Sequence, residues 1–116
     1  MVGKSRREYF VLSREEAETV GHVAYSKPFV LISISDMFTE AANIPDSDLC
    51  KGQLRLWFED SDNDALPFAF SRKLASTIIE FAKNHTGNQR WVIHCHFGIS
   101  RSPAIAAAIA LLFRDV

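Results

Sequence analysis

The 116-residue sequence is short of cysteine, glycine and proline, and it has no surplus of charge of either sign. Two cysteines, Cys50 and Cys95, are too few for the disulfide framework of a small secreted domain, which favours free thiols in the cytoplasm. The formal net charge is −1, so neither nucleic acid nor a membrane surface is expected as a partner. The basic N-terminal stretch has no apolar run behind it, unlike a secretory signal. The longest apolar run, residues 103–113, is about half the length of a membrane-spanning helix.

Strand-like and helix-like segments alternate along the chain, which predicts one α/β domain over residues 1–116. Strands are predicted over residues 9–13, 28–35, 53–58 and 91–95, and helices over 14–20, about 67–85 and about 102–113. Residues 36–52 are predicted to be irregular, and Asp36 is interpreted as a loop cap. This order favours a central, mainly parallel sheet with helices on both faces.

The loop HCHFGISRS follows the last predicted strand, at the sheet edge where ligands bind in such folds. If residues 96–101 wrap with their backbone N–H groups inward, above the start of the last helix, they form a nest for a phosphate-sized anion. Gly98 then supplies a position that needs a positive φ or has no room for a side chain. The guanidinium of Arg101 can bind two phosphoryl oxygens at once. The predicted phosphate-binding residues are His96, Phe97, Gly98, Ile99, Ser100 and Arg101.

Cys95 stands at the base of this predicted nest. The inward dipoles and the charge of Arg101 favour its thiolate form, as helix N-termini do for other reactive cysteines. A thiolate aligned behind a bound phosphorus can attack it in line and form a phosphocysteine, which water then hydrolyses. The loop therefore predicts nucleophilic phosphate chemistry with no cofactor and no metal.

The loop resembles the signature His-Cys-x5-Arg-Ser/Thr of the cysteine-dependent protein tyrosine and dual-specificity phosphatases, and the likeness in element order extends over residues 53–113. The compact size resembles the small dual-specificity-like or bacterial and phage-type members. The resemblance implies hydrolysis of phosphotyrosine in proteins or peptides, with phosphoserine and phosphothreonine left open. It implies that Cys95 is the nucleophile and Arg101 the phosphate clamp. Ser102 would hydrogen-bond the sulfur and help the phosphocysteine break down, while His94 would order the loop and help keep the thiol pKa low.

The same family takes the leaving-group proton from an aspartate on an upstream loop. The segment WFEDSDND offers Asp60, Asp62 and Asp64. Asp60 is preferred because it directly follows the predicted strand, Asp62 remains the rival, and Asp64 is interpreted as the N-cap of the next helix.

Several alternatives accompany this prediction. His94 and His96 flank a cysteine, but no second cluster at zinc spacing accompanies them, so a metal site is not expected. A phosphate-binding module without turnover and a sulfurtransferase or arsenate-reductase type of thiol enzyme stay open. Cys50 is interpreted as a free loop thiol, with a disulfide to Cys95 as the alternative. The last helix is apolar on nearly every face, which predicts a truncated or minimal domain whose helix is covered by a second copy or left partly exposed.

Overall fold

The computed structural model describes residues 7–60 and 69–115. Within these ranges the strands are β1 (Glu8–Ser13), β2 (Phe29–Ser35), β3 (Cys50–Trp57) and β4 (Arg90–Cys95). The helices are α1 (Arg14–Ala17), α2 (Arg72–Lys83) and α3 (Arg101–Leu112), and a 3₁₀ turn covers Val23–Tyr25. The four strands form one parallel sheet in the order β1-β4-β2-β3. The predicted α/β class and the parallel sheet are confirmed.

The two faces of the sheet bury different side chains because residues alternate along each strand. Val30, Ile32 and Ile34 of β2 face α2 and α3 and join the larger core cluster. Phe29 and Leu31 face the opposite side, where they pack with residues of α1 and the 3₁₀ turn. All seven residues of β2 are buried, as expected for an inner strand that is covered on both faces.

The structure corrects the predicted bounds of two helices. The helix predicted over residues 14–20 ends at Ala17. Beyond it, Gly21 has a left-handed φ of 83°, a backbone conformation in which an α-helix cannot continue. The helix predicted from about residue 67 begins at Arg72. Ser71 is its N-cap and accepts a hydrogen bond from the backbone N–H of Leu74.

The third strand is also longer than predicted. It begins at Cys50, within the stretch predicted to be irregular, because Cys50 and Gly52 pair with Phe29 and Val30 of β2 across an irregularity in the register. Neither strand alternation nor β-branched residues announce this extension in the sequence. The other three strands agree with the predicted bounds to within one residue.

Helix α3 buries one side and leaves the other open. Ile105, Ala106, Ile109 and Ala110 pack into the core, whereas Leu111 is 67% exposed. An apolar groove of about 300 Å³ runs between α2 and α3 on this open side. A homodimer through α3 stays a prediction, and this groove is the surface that it would use. In the described part of the chain no helix is long and apolar enough to cross a membrane.

Candidate active site

The candidate site is the loop of residues 96–100 between β4 and α3. Strand β4 lies inside the sheet, with β1 on one side and β2 on the other. The end of β1 supports the loop, because the backbone N–H of Arg14 donates to the carbonyl oxygen of His96 at 3.0 Å. Gly98 has a φ of 73°, and an added Cβ there would lie 2.8 Å from the backbone nitrogen of Ser13. Both reasons for a glycine at this position therefore apply.

The thiol of Cys95 is buried and surrounded by hydrogen-bond donors. Its Sγ accepts from the backbone N–H of Gly98 at 3.2 Å and from that of Ser102 at 3.5 Å. The Ser102 hydroxyl lies 3.1 Å from the same sulfur. Burial raises the pKa of the Cys95 thiol, but the Ser102 hydroxyl, the two amides and the charge of Arg101 together hold that pKa below its ordinary value.

Among the described residues, the guanidinium of Arg101 has partners at Nη1 and none at Nε. Its Nη1 donates to the carbonyl oxygen of Phe58 at 2.8 Å and lies 2.8 Å from Oδ1 of Asp36. The side chain is 8% exposed, yet its buried Nε has no hydrogen-bond partner among the described residues. A buried donor without a partner is costly, so this edge of the guanidinium is suited to receive an anion.

Asp36 is a site residue that the sequence analysis missed. Its backbone carbonyl accepts from Thr39, but its carboxylate pairs with Arg101, so its interpretation as a loop cap is wrong. Asp36 directly follows β2, which neighbours β4 in the sheet. The rule that carboxyl ends of parallel strands share one edge applies to it as much as to the loop. The prediction missed Asp36 because the strand order has no local signal in the sequence.

Asp60 lies beside the loop, close enough for its carboxylate to accept a hydrogen bond from the Ser100 hydroxyl. Ser100 precedes α3 but makes no side-chain capping bond to it, because its hydroxyl is turned to Asp60. The neighbouring Glu59 accepts from the backbone N–H of Met37 at 2.7 Å, which ties the loops after β2 and β3 together. The rival Asp62 and Asp64 lie outside the described residues, and the prediction that Asp64 is the N-cap of the next helix is wrong, because Ser71 is the N-cap of α2.

The remaining loop residues present their backbone. His96 is exposed, as are the side chains of Phe97 and Ile99, at 71% and 77%. Within the described ranges, the structure gives no acceptor for the backbone N–H groups of Phe97, Ile99, Ser100 and Arg101. These amides are available to a bound anion.

His94 is fully buried on the face of the sheet opposite Cys95. Its Nε2 lies 2.6 Å from the Ser33 hydroxyl, and its Nδ1 lies 3.4 Å from the carbonyl oxygen of Cys95. Burial lowers the pKa of His94 to about 4, against the weaker opposing effect of the Cys95 carbonyl. The imidazole is therefore neutral near pH 7.

The register of the strands does not fit the alternative of a disulfide between Cys50 and Cys95. Cys50 pairs with Phe29 at the start of β2, whereas Cys95 follows the residue that pairs with Ser33. The two cysteines are thus on the order of 16 Å apart along the strands, beyond the roughly 7 Å Cα separation that a disulfide allows. The part of the chain that the structure describes groups no three His, Cys, Asp or Glu side chains for a metal ion.

Three clefts of the described surface adjoin the loop. The one beside Arg101 has a volume of about 430 Å³ and is lined mainly by apolar groups, including Phe58, Phe70 and Ile105. Two others border His96 and share Arg14. Each cleft carries two carboxylates, and no described residue that lines them is a lysine. The six acidic residues are Glu15, Glu18, Asp36, Glu40, Glu59 and Asp60.

Comparison of the chain with protein-family profiles, with curated proteins and with solved structures found no match.

Proposed function

We propose that this protein is a cysteine-dependent phosphatase that hydrolyses phosphomonoesters, with phosphotyrosine in proteins or peptides as its substrate class and phosphoserine or phosphothreonine as further substrates. The observation that carries the proposal is the pairing of a buried, multiply hydrogen-bonded thiol with an arginine whose buried Nε has no hydrogen-bond partner in residues 7–60 and 69–115. The thiol supplies a nucleophile and the arginine an oxyanion clamp, which are the two groups that phosphoryl transfer to sulfur requires.

In the first half-reaction the Cys95 thiolate attacks phosphorus, the P–S bond forms and the P–O bond to the leaving group breaks. The transition-state charge falls on the phosphoryl oxygens, which Arg101 and the loop amides bind. Asp60 donates a proton to the departing oxygen. Asp60 lines the cleft beside Arg101, and its carboxylate accepts a hydrogen bond from the hydroxyl of the loop residue Ser100.

In the second half-reaction water attacks the phosphocysteine. The Asp60 carboxylate takes a proton from the water and the P–S bond breaks. Inorganic phosphate leaves, and the Cys95 thiolate is regenerated. The Ser102 hydroxyl, 3.1 Å from Sγ, donates to the sulfur as its negative charge returns. Every step uses a group of this chain.

The surroundings of the loop favour a substrate with one phosphate over a polyanionic headgroup. Six carboxylates line the three clefts, against the two arginines Arg14 and Arg101. A ligand with several phosphates would meet repulsion outside the nest. The apolar walls of the cleft beside Arg101 suit an aromatic side chain such as tyrosine. We infer that the protein acts in the cytoplasm, where the nucleophilic thiol stays reduced.

Hydrolysis of p-nitrophenyl phosphate in the presence of a chelator tests the proposal. The wild type should release nitrophenol, and Cys95→Ser should release none, because a hydroxyl is not ionised near pH 7. Cys50→Ser is the matched control and should keep wild-type activity, since Cys50 lies at the opposite end of the sheet. A wild type that binds vanadate without turnover would favour a phosphate-binding module instead. Thiosulfate or arsenate turnover without phosphatase activity would favour the other thiol enzymes.

A further inference from the structure

Two clefts of the described surface meet at Ala108 on helix α3. The cleft beside Arg101 runs along one side of the helix, past Ala104 to Ala108. The apolar groove between α2 and α3 begins at the same Ala108 and continues to Leu111. Ala104, Ala108 and Leu111 are exposed and lie on one face of α3, because their spacing follows the helical repeat. The candidate active site and the groove therefore form one continuous channel along the helix.

The two ends of this channel differ in chemistry. At one end, the buried guanidinium of Arg101 has an Nε without a hydrogen-bond partner among the described residues, which suits an anion. At the other end, every described residue that lines the groove is apolar. Ile79 of α2 and Leu111 and Leu112 of α3 are exposed there. An exposed apolar patch that continues a ligand cleft is typical of a binding surface.

We propose that the groove between α2 and α3 is a docking site for apolar side chains of the phosphorylated protein substrate, close to the phosphotyrosine in its chain. This inference rests on the proposed function, because it takes the bound phosphotyrosine as the point from which the substrate extends into the groove. One occupant then accounts for both ends of the channel. Its phosphate is bound at Arg101, and its apolar neighbours are buried in the groove.

The length of the channel sets the spacing of the docking residues. Along the axis of α3, Leu111 lies about 15 Å beyond Arg101. An extended peptide covers this distance in about five residues, and the tyrosine side chain itself covers part of it. Apolar residues roughly three and four positions from the phosphotyrosine therefore reach the groove. Both positions are varied in the test, because successive side chains of an extended peptide point to opposite sides.

The test compares phosphotyrosine peptides that differ only at these two positions. One peptide carries leucine at both positions and its counterpart carries serine, and such a pair is made for the amino side and for the carboxyl side of the phosphotyrosine. On one of the two sides, the wild type should have a roughly tenfold higher kcat/KM for the leucine peptide, the factor that burial of one leucine side chain supports. Equal values for leucine and serine on both sides would overturn the proposal.

Ala108→Glu places a charge where the cleft and the groove meet. The measured quantity is the ratio of kcat/KM for the leucine and serine peptides, in which any change of basal activity cancels. This ratio should fall from about ten to about one, because leucine would be buried against a carboxylate. Ala107→Glu is the matched control and should keep the wild-type ratio, because Ala107 is exposed on the same helix and lines neither the cleft nor the groove.

A second variant covers the case in which Ala108→Glu fails to fold. Leu111→Ser changes an exposed side chain at the far end of the groove and should also lower the ratio. A wild-type ratio in either folded variant would contradict the proposal.

Two further measurements separate the docking site from the phosphatase activity and from a dimer. Binding of the fluorescently labelled peptides to Cys95→Ser does not need turnover. If the wild type hydrolyses no p-nitrophenyl phosphate while Cys95→Ser binds the leucine peptide more tightly than the serine peptide, the proposed function is wrong and the docking site stands. An active phosphatase that does not distinguish the peptides would overturn the docking site alone. A dimer in sedimentation that Ala108→Glu dissociates, without a preference for leucine, would assign the groove to a second copy and overturn the proposal.

Discussion

Two buried arginines lie on opposite sides of the sheet edges that β4 joins: Arg90 is the first residue of β4, and Arg101 begins α3 beyond its carboxyl end. At the amino end, Arg90 satisfies all three of its nitrogens. Its Nε and Nη2 contact Glu8, and its Nη1 contacts the carbonyl oxygens of Val23 and Ala24. The guanidinium also lies over the ring of Phe10, 4.7 Å from its centroid. Beyond the carboxyl end, the residues that the structure describes contact Arg101 at Nη1 alone, and none of them is a partner for its Nε.

This difference is the one expected between an arginine that stabilises the fold and an arginine that binds a ligand, the role proposed for Arg101. A structural arginine saturates its donors, since each unsatisfied buried donor reduces stability. An Nε without a partner among the described residues does not by itself identify a ligand-binding arginine, because Arg7 has one too. The guanidinium of Arg7 lies over the ring of Phe113, 4.0 Å from its centroid. What distinguishes Arg101 is an open donor whose charge also acts on a thiol.

Replacing each arginine by lysine tests the comparison most severely. Arg101→Lys should reduce phosphatase activity about 10²–10³-fold, because an ammonium cannot supply the planar pair of donors to the transition state. Arg90→Lys should keep the activity of the folded protein but lower the free energy of unfolding by about 2–3 kcal/mol, since several buried acceptors lose their donor. Initial rates and urea denaturation of both variants provide the measurements. Equal effects of the two changes on activity would remove the distinction.

The next largest effect on activity is expected at Asp60, which lines the same cleft as Arg101. Asp60→Asn should reduce hydrolysis of phosphotyrosine about 10²-fold, because tyrosine leaves poorly without a proton. In the first half-reaction, followed as the initial burst of nitrophenol from p-nitrophenyl phosphate, the loss should be much smaller, because this leaving group needs little protonation. Asp62→Asn is the matched control. A larger loss in Asp62→Asn than in Asp60→Asn would transfer the general-acid role to Asp62.

The acidic partners of the two arginines provide the mildest test. Asp36→Asn should lower activity by roughly tenfold, because Arg101 loses the charge that orients it. Glu8→Gln should leave activity unchanged, since the side-chain contacts of Glu8 among the described residues are with Arg90 and its side chain is 51% exposed. The kinetic constants for p-nitrophenyl phosphate measure both. An active Asp36→Asn with wild-type constants would mean that Phe58 alone positions Arg101.

Sequence reasoning predicted the parts of the site that are contiguous in the chain. Cys95, Gly98, Arg101 and Ser102 lie within one strand-loop-helix unit, so local geometry and spacing were enough to bring them together. Asp60 was preferred because the resembling family carries an aspartate on the upstream loop and because Asp60 directly follows a predicted strand.

The contacts that the sequence did not reveal depend on strand order and register. Asp36 reaches Arg101 because β2 neighbours β4, and Ser33 reaches His94 because these two residues are paired in the register. Neither neighbour relation has a local signal, since β2 and β4 are separated by β3 and α2 in the chain. The extension of β3 to Cys50 was missed for the same reason, because pairing with β2 defines it.

The most direct test of the account is to trap the intermediate. The wild type is mixed with p-nitrophenyl phosphate, quenched in acid within the first turnovers and digested for mass spectrometry. We predict one phosphoryl group on the peptide that contains Cys95, and none on that peptide in Arg101→Lys treated identically. A wild type that releases nitrophenol steadily while the phosphoryl group is found on another side chain, or on none at any quench time, would contradict the central claim.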